Sequence, residues 1–434
     1  MSNRLSIFYT PCLYLAILLF LLGEGTVALD FARSIIPGYS HSFVTILIMI
    51  GVIFLGFIKG INRKTINMMF SSRLIFAGLP IIFFVLASYI DIVINLFSSN
   101  VSFSYAAFLI RHLLFIFLVL QAIACGESFI RITKPYFHLM LFILITGATL
   151  FLLNIVVDNI NNYTVDVGFL RKSGEGNLGR SLYSMPFGMG LLITGQNLAN
   201  FLGFNFYQFS SYFFEPQIFG FMMVPGFIIF LQKNYRPDFG LKTPMILVAM
   251  VLIIWAHSLT TLSALLGIGF VWLFLRNIYS AIFILTIFII LLLVVIANLD
   301  ELSLTISLIN KLNSSSSETS INLFTEIWQN LSFIGDGAFN IRVGEKGRYL
   351  SAFSLLLWGS FVIAVFFNIA IEILINKNSA FAYALLFLFI CYFKDLWHLP
   401  MSPISIYLCL IFFAYKFNQE HIHNAYQRLE YSKI

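Results

Sequence analysis

Charge is scarce in this 434-residue chain: Asp, Glu, Lys and Arg together account for 10% of its residues. Soluble domains usually carry roughly a quarter charged residues, so this composition argues against a water-soluble fold. Cysteine is scarce too. Cys12, Cys125, Cys391 and Cys409 all lie within or beside apolar runs, where they read as small core residues. That placement gives no support for a disulfide framework or a metal site. No segment at either end is polar enough to form a soluble domain. The net charge of +6 reads as membrane orientation and does not point to a nucleic-acid partner.

Apolar residues are abundant, at 60%, and they recur in runs near the twenty residues that a helix needs to cross a bilayer. The runs fall at about 11–29, 43–58, 74–94, 105–124, 135–157, 216–231, 244–257, 259–275, 277–297, 351–375, 379–394 and 404–415. They predict an all-α polytopic membrane protein, one integral membrane domain over 1–434, with about twelve spans and both termini on one side. The first run, Pro11 to Leu29, contains Glu24 and lacks a small-residue cleavage site, so it reads as a retained span. The stretch MPFGMGLLITGQNLANFLGF (185–204) is apolar but glycine-rich and interrupted by Gln196, Asn197 and Asn200. It reads as a re-entrant or interfacial segment, tolerated where backbone lines a polar cavity.

Basic residues set the orientation. The short loops 59–73, 126–134 and 232–243 hold Lys59, Arg63, Lys64, Arg73, Arg131, Lys134, Lys233, Arg236 and Lys242, whereas 30–42 and 95–104 contain only Arg33. Arg276, Lys377 and the tail from Lys416 fall on the basic side, which the positive-inside rule makes cytoplasmic. Both termini are then cytoplasmic, and the two long loops, 158–215 and 298–350, are outside. Each long loop is rich in glycine and arginine. The first carries Arg171 and Arg180 in FLRKSGEGNLGRSLYS, the second Arg342 and Arg348 in GDGAFNIRVGEKGRYLS. Arginine's planar fork suits phosphate oxygens, and glycine lets backbone amides approach an anion. In the second loop Ile321, Phe324, Trp328 and Leu331 recur at helical spacing after a polar NSSSSETS hinge. They predict a short amphipathic helix lying on the membrane or covering a cavity.

Arg111 and His112 lie inside the fourth run, in SYAAFLIRHLLFIFLVLQ, roughly 9 Å below its outer end at the rise of an α-helix. Ionisable groups at such depth face the bundle interior and have a partner or a function. Asp91, near the outer end of the third run, is the expected partner; alternatively Arg111 forms the floor of an outward-opening anion site. His257, in IIWAHSLTTLSALLG, sits at the outer end of its run. Glu215 precedes Pro216 in SSYFFEPQIFGFMMVPGFIIFLQ. Pro216 suits the first position of a helix, and the carboxylate complements that helix's positive end. A second reading sets Glu215 at the mouth of a reaction chamber.

Three segments resemble bacterial O-antigen polymerases of the Wzy type. SSYFFEPQIFGFMMV is similar to their Ser-x-x-x-Glu-Pro-x-x-x-(Gly/Ala) signature, and HSLTTLSALLGIGFVWLFL to the small-residue spans that follow. SSSSETSINLFTEIWQNLSFIGDGAFN resembles their second outer loop. The superfamily includes O-antigen ligases with the same layout. The resemblance implies a GT-C-like architecture in the bacterial inner membrane and a metal-independent, cofactor-free glycosyltransferase. Its substrate would be an undecaprenyl-diphosphate-linked oligosaccharide, and a chain-length regulator protein would be a partner. Glu215 and His257 would then serve catalysis, and Arg111, Arg171, Arg180, Arg342 and Arg348 would bind the diphosphate. A transporter of lipid-linked glycan is the reading from a different class, since charges within spans also suit a translocation path. Reporter fusions at Lys64, Lys134, Lys242 and the C-terminus are expected to report cytoplasm, and fusions at Gly174 and Ser316 periplasm. A cytoplasmic signal at Gly174 overturns the orientation.

Overall fold

A backbone crossing hydrocarbon must satisfy its own hydrogen bonds, and each of the twelve apolar runs does so as an α-helix over at least part of its length. The computed structural model describes residues 2–23, 41–97, 103–156, 165–166, 180–185, 189–194, 199–201, 204–206, 208–211, 216–231, 242–255, 259–297, 331–332, 350–392 and 402–431. The first helices are α1 (Ser2–Leu22), α2 (His41–Lys59), the short α3 (Arg63–Met69), α4 (Ser72–Phe97), α5 (Phe103–Ala124) and α6 (Phe129–Val156). After a stretch containing strands come α7 (Pro216–Leu231), α8 (Lys242–Trp255), α9 (Leu259–Arg276) and α10 (Ile278–Ala297). The last are α11 (Ala352–Ile375), α12 (Ala380–Tyr392) and α13 (Pro403–Tyr431). Five stretches are long and apolar enough to cross a membrane: His41–Lys59, Leu74–Phe97, Ala106–Ala124, Phe129–Thr146 and Leu356–Ile375. This is the build of a membrane protein.

Two boundaries differ from those expected. Helix α1 starts at Ser2, carries Pro11 inside it and stops at Leu22. The apolar and helix-compatible residues before Pro11 continue the helix, and Gly23, Gly25 and Thr26 are poor helix formers that close it early. Glu24 therefore falls beyond the helix and outside the described residues. Leu331 opens a two-residue strand, where the periodicity placed it at the close of an amphipathic helix. The rest of that helix, 321–330, lies outside the described residues.

The segment between α6 and α7 contributes β1 (Val165–Asp166), β2 (Arg180–Met185), β3 (Met189–Thr194), β4 (Ala199–Phe201), β5 (Phe204–Phe206) and β6 (Gln208–Ser211). An antiparallel sheet runs β1-β2-β3-β6, and β4 pairs with β5. The 185–204 stretch thus pairs part of its backbone in ladders. Strands β7 (Leu331–Ser332) and β8 (Leu350–Ser351) pair in parallel, and β8 runs directly into α11. The all-α expectation holds for the apolar runs, and strands are added between them.

At the centre stand α12 and the first half of α13, apolar on nearly every side and almost wholly buried. Helix α12 packs against α7, α9 and α11, and α13 against α4, α5 and α6. By contrast, α10 is exposed over most of its described surface.

One end of the bundle is fastened by Glu127. After α5 the chain reverses through Gly126 in the left-handed region (φ 78°), with Gly126 N–H donating to Ile123 O and Glu127 N–H to Ala122 O at 2.9 Å each. This Schellman turn needs a glycine at that position and tucks Glu127 inward. Its side chain is buried and accepts hydrogen bonds from Thr10 Oγ1 (3.1 Å), Arg131 Nη1 (2.9 Å) and Lys59 Nζ, tying α1, α2 and α6 together. Burial alone pushes the carboxyl pKa up, but the hydrogen bonds and charge of Lys59 and Arg131 outweigh it and hold the group below its usual range. A carboxylate with a depressed pKa stabilises the fold above its unfolded value and loses that contribution as pH falls through the folded one. Glu127→Gln is therefore expected to lower the melting temperature of the purified protein at neutral pH. The gap from wild type should stay constant above about pH 5 and close below about pH 4; a gap still unchanged at the acid end contradicts the assignment.

Candidate functional site

Arg111 and His112, adjacent on α5, are both buried. The His112 Nδ1–H donates to the Phe108 carbonyl one turn back, at 2.8 Å, which fixes the tautomer. Its ring lies among Phe108, Phe20 and Phe84, with centroids at 4.3, 5.1 and 6.0 Å. The Arg111 guanidinium stands over the Phe108 ring at 5.0 Å and the Phe20 ring at 5.7 Å. Such a cation–π seat helps to hold a desolvated guanidinium in place. Gly23, just past α1, makes room for it: a β-carbon there would lie 2.6 Å from Arg111 Nη1.

Asp91 lies on a buried polar stripe of α4 with Ser88 and Asn95, at helical spacing. Its carboxylate accepts hydrogen bonds from Ser354 Oγ and from Trp358 Nε1, the latter at 3.0 Å. Arg111 was the partner expected from the sequence. These two donors on α11 escaped that reading, although a Ser and a Trp four apart at the start of an apolar run were a signal for them. Phe84 links the two groups, meeting the Trp358 ring edge-on at 5.2 Å and the His112 ring at 6.0 Å. His41, opening α2, is buried, with Nε2 donating to Leu19 O of α1 at 2.9 Å.

A second feature joins the starts of α7 and α9. Pro216 is the first residue of α7, as its chemistry predicted. One turn on, Gly220 meets Thr261 of α9 so closely that a β-carbon would overlap Thr261 Oγ1. The two motif-bearing segments therefore touch. Glu215 immediately precedes α7, and His257 comes two residues before α9. Both lie outside the described residues, as do Arg171, Arg342 and Arg348. Arg180 begins β2 opposite Thr194 of β3. Arg348 precedes β8, and that strand leads into the helix whose Ser354 binds Asp91. Helix α12 packs on α7, α9 and α11, so it connects the α7–α9 contact with the helix that holds Asp91.

The arrangement offers a buried guanidinium seated on aromatic faces, a buried carboxylate that accepts from Ser354 and Trp358, and two helix starts in contact. No protein-family model matches the chain, and neither does any curated protein or solved structure. If the Asp91 ties hold α4 to α11, Asp91→Ala strands two buried donors and should cost about 1–3 kcal/mol. Asp91→Asn, which keeps an acceptor, is expected to cost less. Thermal unfolding in detergent measures both, and equal loss in the two variants contradicts the hydrogen-bond account.

Proposed function

We propose that the chain is a membrane glycosyltransferase that polymerises undecaprenyl-diphosphate-linked oligosaccharides into O-antigen or a similar surface polysaccharide. The observation that carries this reading is the Gly220–Thr261 contact, which sets side by side the two helix starts that follow Glu215 and His257. It unites two of the three segments that resemble the polymerase family. The fixed Arg111 guanidinium adds a cation suited to the lipid diphosphate.

In this reading all twelve helices span the bacterial inner membrane in a GT-C-like arrangement, with both termini cytoplasmic and the long loops periplasmic. Several contacts fit the alternation of helix ends in that reading. Gly23 with Arg111, His41 with Leu19, Asp91 with Ser354 and Gly220 with Thr261 each join helix ends assigned to the outer side. Glu127 with Lys59 and Arg131, and Glu372 with Lys416, join ends assigned to the inner side.

In the reaction, the acceptor's sugar hydroxyl oxygen bonds to the anomeric carbon of the growing chain. The bond from that carbon to the diphosphate oxygen breaks, and the hydroxyl proton passes to a base. Glu215 is the base in this proposal, with His257 beside it at the chamber mouth. Negative charge grows on the departing undecaprenyl diphosphate, where Arg111, Arg171, Arg180, Arg342 and Arg348 stabilise it as fixed donors. Ligation of the finished polymer uses the same chemistry with a different acceptor. A chain-length regulator is the protein partner of this scheme. The buried charges around Arg111 and Asp91 favour one other reading, transport of the lipid-linked glycan.

Purified protein incubated with lipid-linked repeat units separates these readings. Chain growth without added protein supports the polymerase, transfer to lipid A core the ligase, and movement without covalent change the transporter. In cells expressing matched amounts of protein, Glu215→Gln and Glu215→Asp should lower the polymer-to-single-repeat ratio by about 10²–10⁴-fold. Replacement by Ala should abolish polymer for at least two of Arg171, Arg180, Arg342 and Arg348, with Lys rescuing only partly. Near-normal polymer in Glu215→Gln leaves that carboxylate as a helix cap.

A further inference from the structure

Among the described residues four helices carry an internal proline: Pro11 in α1, Pro80 in α4, Pro135 in α6 and Pro225 in α7. A proline has no amide hydrogen, so the carbonyl four residues back loses its donor, and the ring pushes the preceding turn aside. In α7 that carbonyl belongs to Phe221, and the next rung of the ladder lies between Met222 O and Gly226 N–H. The hydroxyl of Tyr136, on α6, is placed at that rung. It donates to Met222 O at 2.5 Å, and the Tyr136 ring lies against Gly226. Gly226 is what admits the tyrosine. A β-carbon there would overlap Met140 Sδ and lie 2.9 Å from Tyr136 Cε1.

The same device recurs in α6. Tyr407 of α13 donates through its hydroxyl to Ile132 O at 3.0 Å, again the carbonyl three residues before a proline. Both tyrosines are fully buried, and their rings meet edge-on at 5.5 Å. In each case a tyrosine hydroxyl from a neighbouring helix holds the carbonyl next to the one the proline frees, within the turn that the ring crowds.

We propose that α7 is a hinged helix whose joint is the Met222–Gly226 rung, and that the Tyr136 hydroxyl is the latch holding the joint in the observed position. The moving part is the outward half, 216–224, with β6 packed on it and Gly220 seated on Thr261 of α9. Met222, Met223 and Met140 surround the joint. Their flexible thioethers can repack as the helix bends, where branched side chains would resist. Tyr136 is accordingly a positioning residue: it sets the angle at which the start of α7 meets α9. The hinge stands on these contacts alone and is independent of the polymerase reading.

Amide hydrogen exchange of the full-length protein in nanodiscs, read on peptides covering 221–231 and 380–392, tests the latch. Tyr136→Phe keeps the ring and removes the hydroxyl, so exchange within 221–231 should rise roughly 3- to 10-fold, with 380–392 in α12 unchanged. Pro225→Ala restores the missing donor, so exchange in that peptide should fall below wild type. In the Pro225→Ala background, Tyr136→Phe should then have little further effect, because the helix closes its own ladder. A rise of the same size in both backgrounds overturns the proposal, as does a rise shared by α12 or no rise at all. Should the tyrosine variant fail to fold, Pro225→Ala alone decides: unchanged exchange in 221–231 is equally fatal.

Discussion

In hydrocarbon an unpaired peptide N–H or C=O is expensive, because no water is present to take its hydrogen bond. Much of this architecture follows from that constraint. It makes the apolar runs helical, and it governs how the helices are interrupted. Beside the prolines of α6 and α7, Tyr407 and Tyr136 donate from neighbouring helices to the carbonyl three residues before. Where α5 ends, the Schellman turn at Gly126 satisfies its last carbonyls. Polar side chains are aimed at backbone for the same reason: Asn368 donates to Phe76 O at 2.9 Å and Gln121 to Ile53 O at 3.0 Å, tying α11 to α4 and α5 to α2.

Charge obeys a related rule, since an ionised group cannot be desolvated cheaply unless it is held by partners. Glu127 and Glu372 meet that cost with cations near the helix ends. Asp91 accepts hydrogen bonds from Ser354 and Trp358, and Arg111 stands against aromatic faces. These solutions differ in consequence. An ion pair fastens two helices and spends the charge of both groups. The rings beneath Arg111 fix where its guanidinium stands.

Close approach is the third element. Glycines let helices meet at Gly56 on Gln121, Gly220 on Thr261 and Gly226 on Met140. Small residues at contacts are how helices associate when burial of apolar surface gives little drive, lipid being as apolar as the protein. Two of these contacts lie on α7, one at its outward start and one beside its proline joint. The helix that follows the Glu-Pro pair is thus pinned at both points by shape.

The local patterns of the sequence determined much of this. Apolar run length marked the described helices other than the short α3, Pro216 marked the first residue of α7, and the depth of Arg111 and His112 in their run marked buried polar groups. Each of those signals is carried by neighbouring residues, within the reach of composition and helical periodicity. What only the tertiary structure decided concerns residues far apart in the chain. The donors to Asp91 are more than two hundred and sixty residues away in sequence, and the hydroxyl at the Pro225 joint comes from a helix 86 residues earlier. Run length also misplaced the ends of α1 and assigned Leu331 to a helix, because ends are set by capping and pairing that hydropathy does not register. Periodicity tells a helix which face to bury; which side chain meets it there is settled only when the other helices arrive.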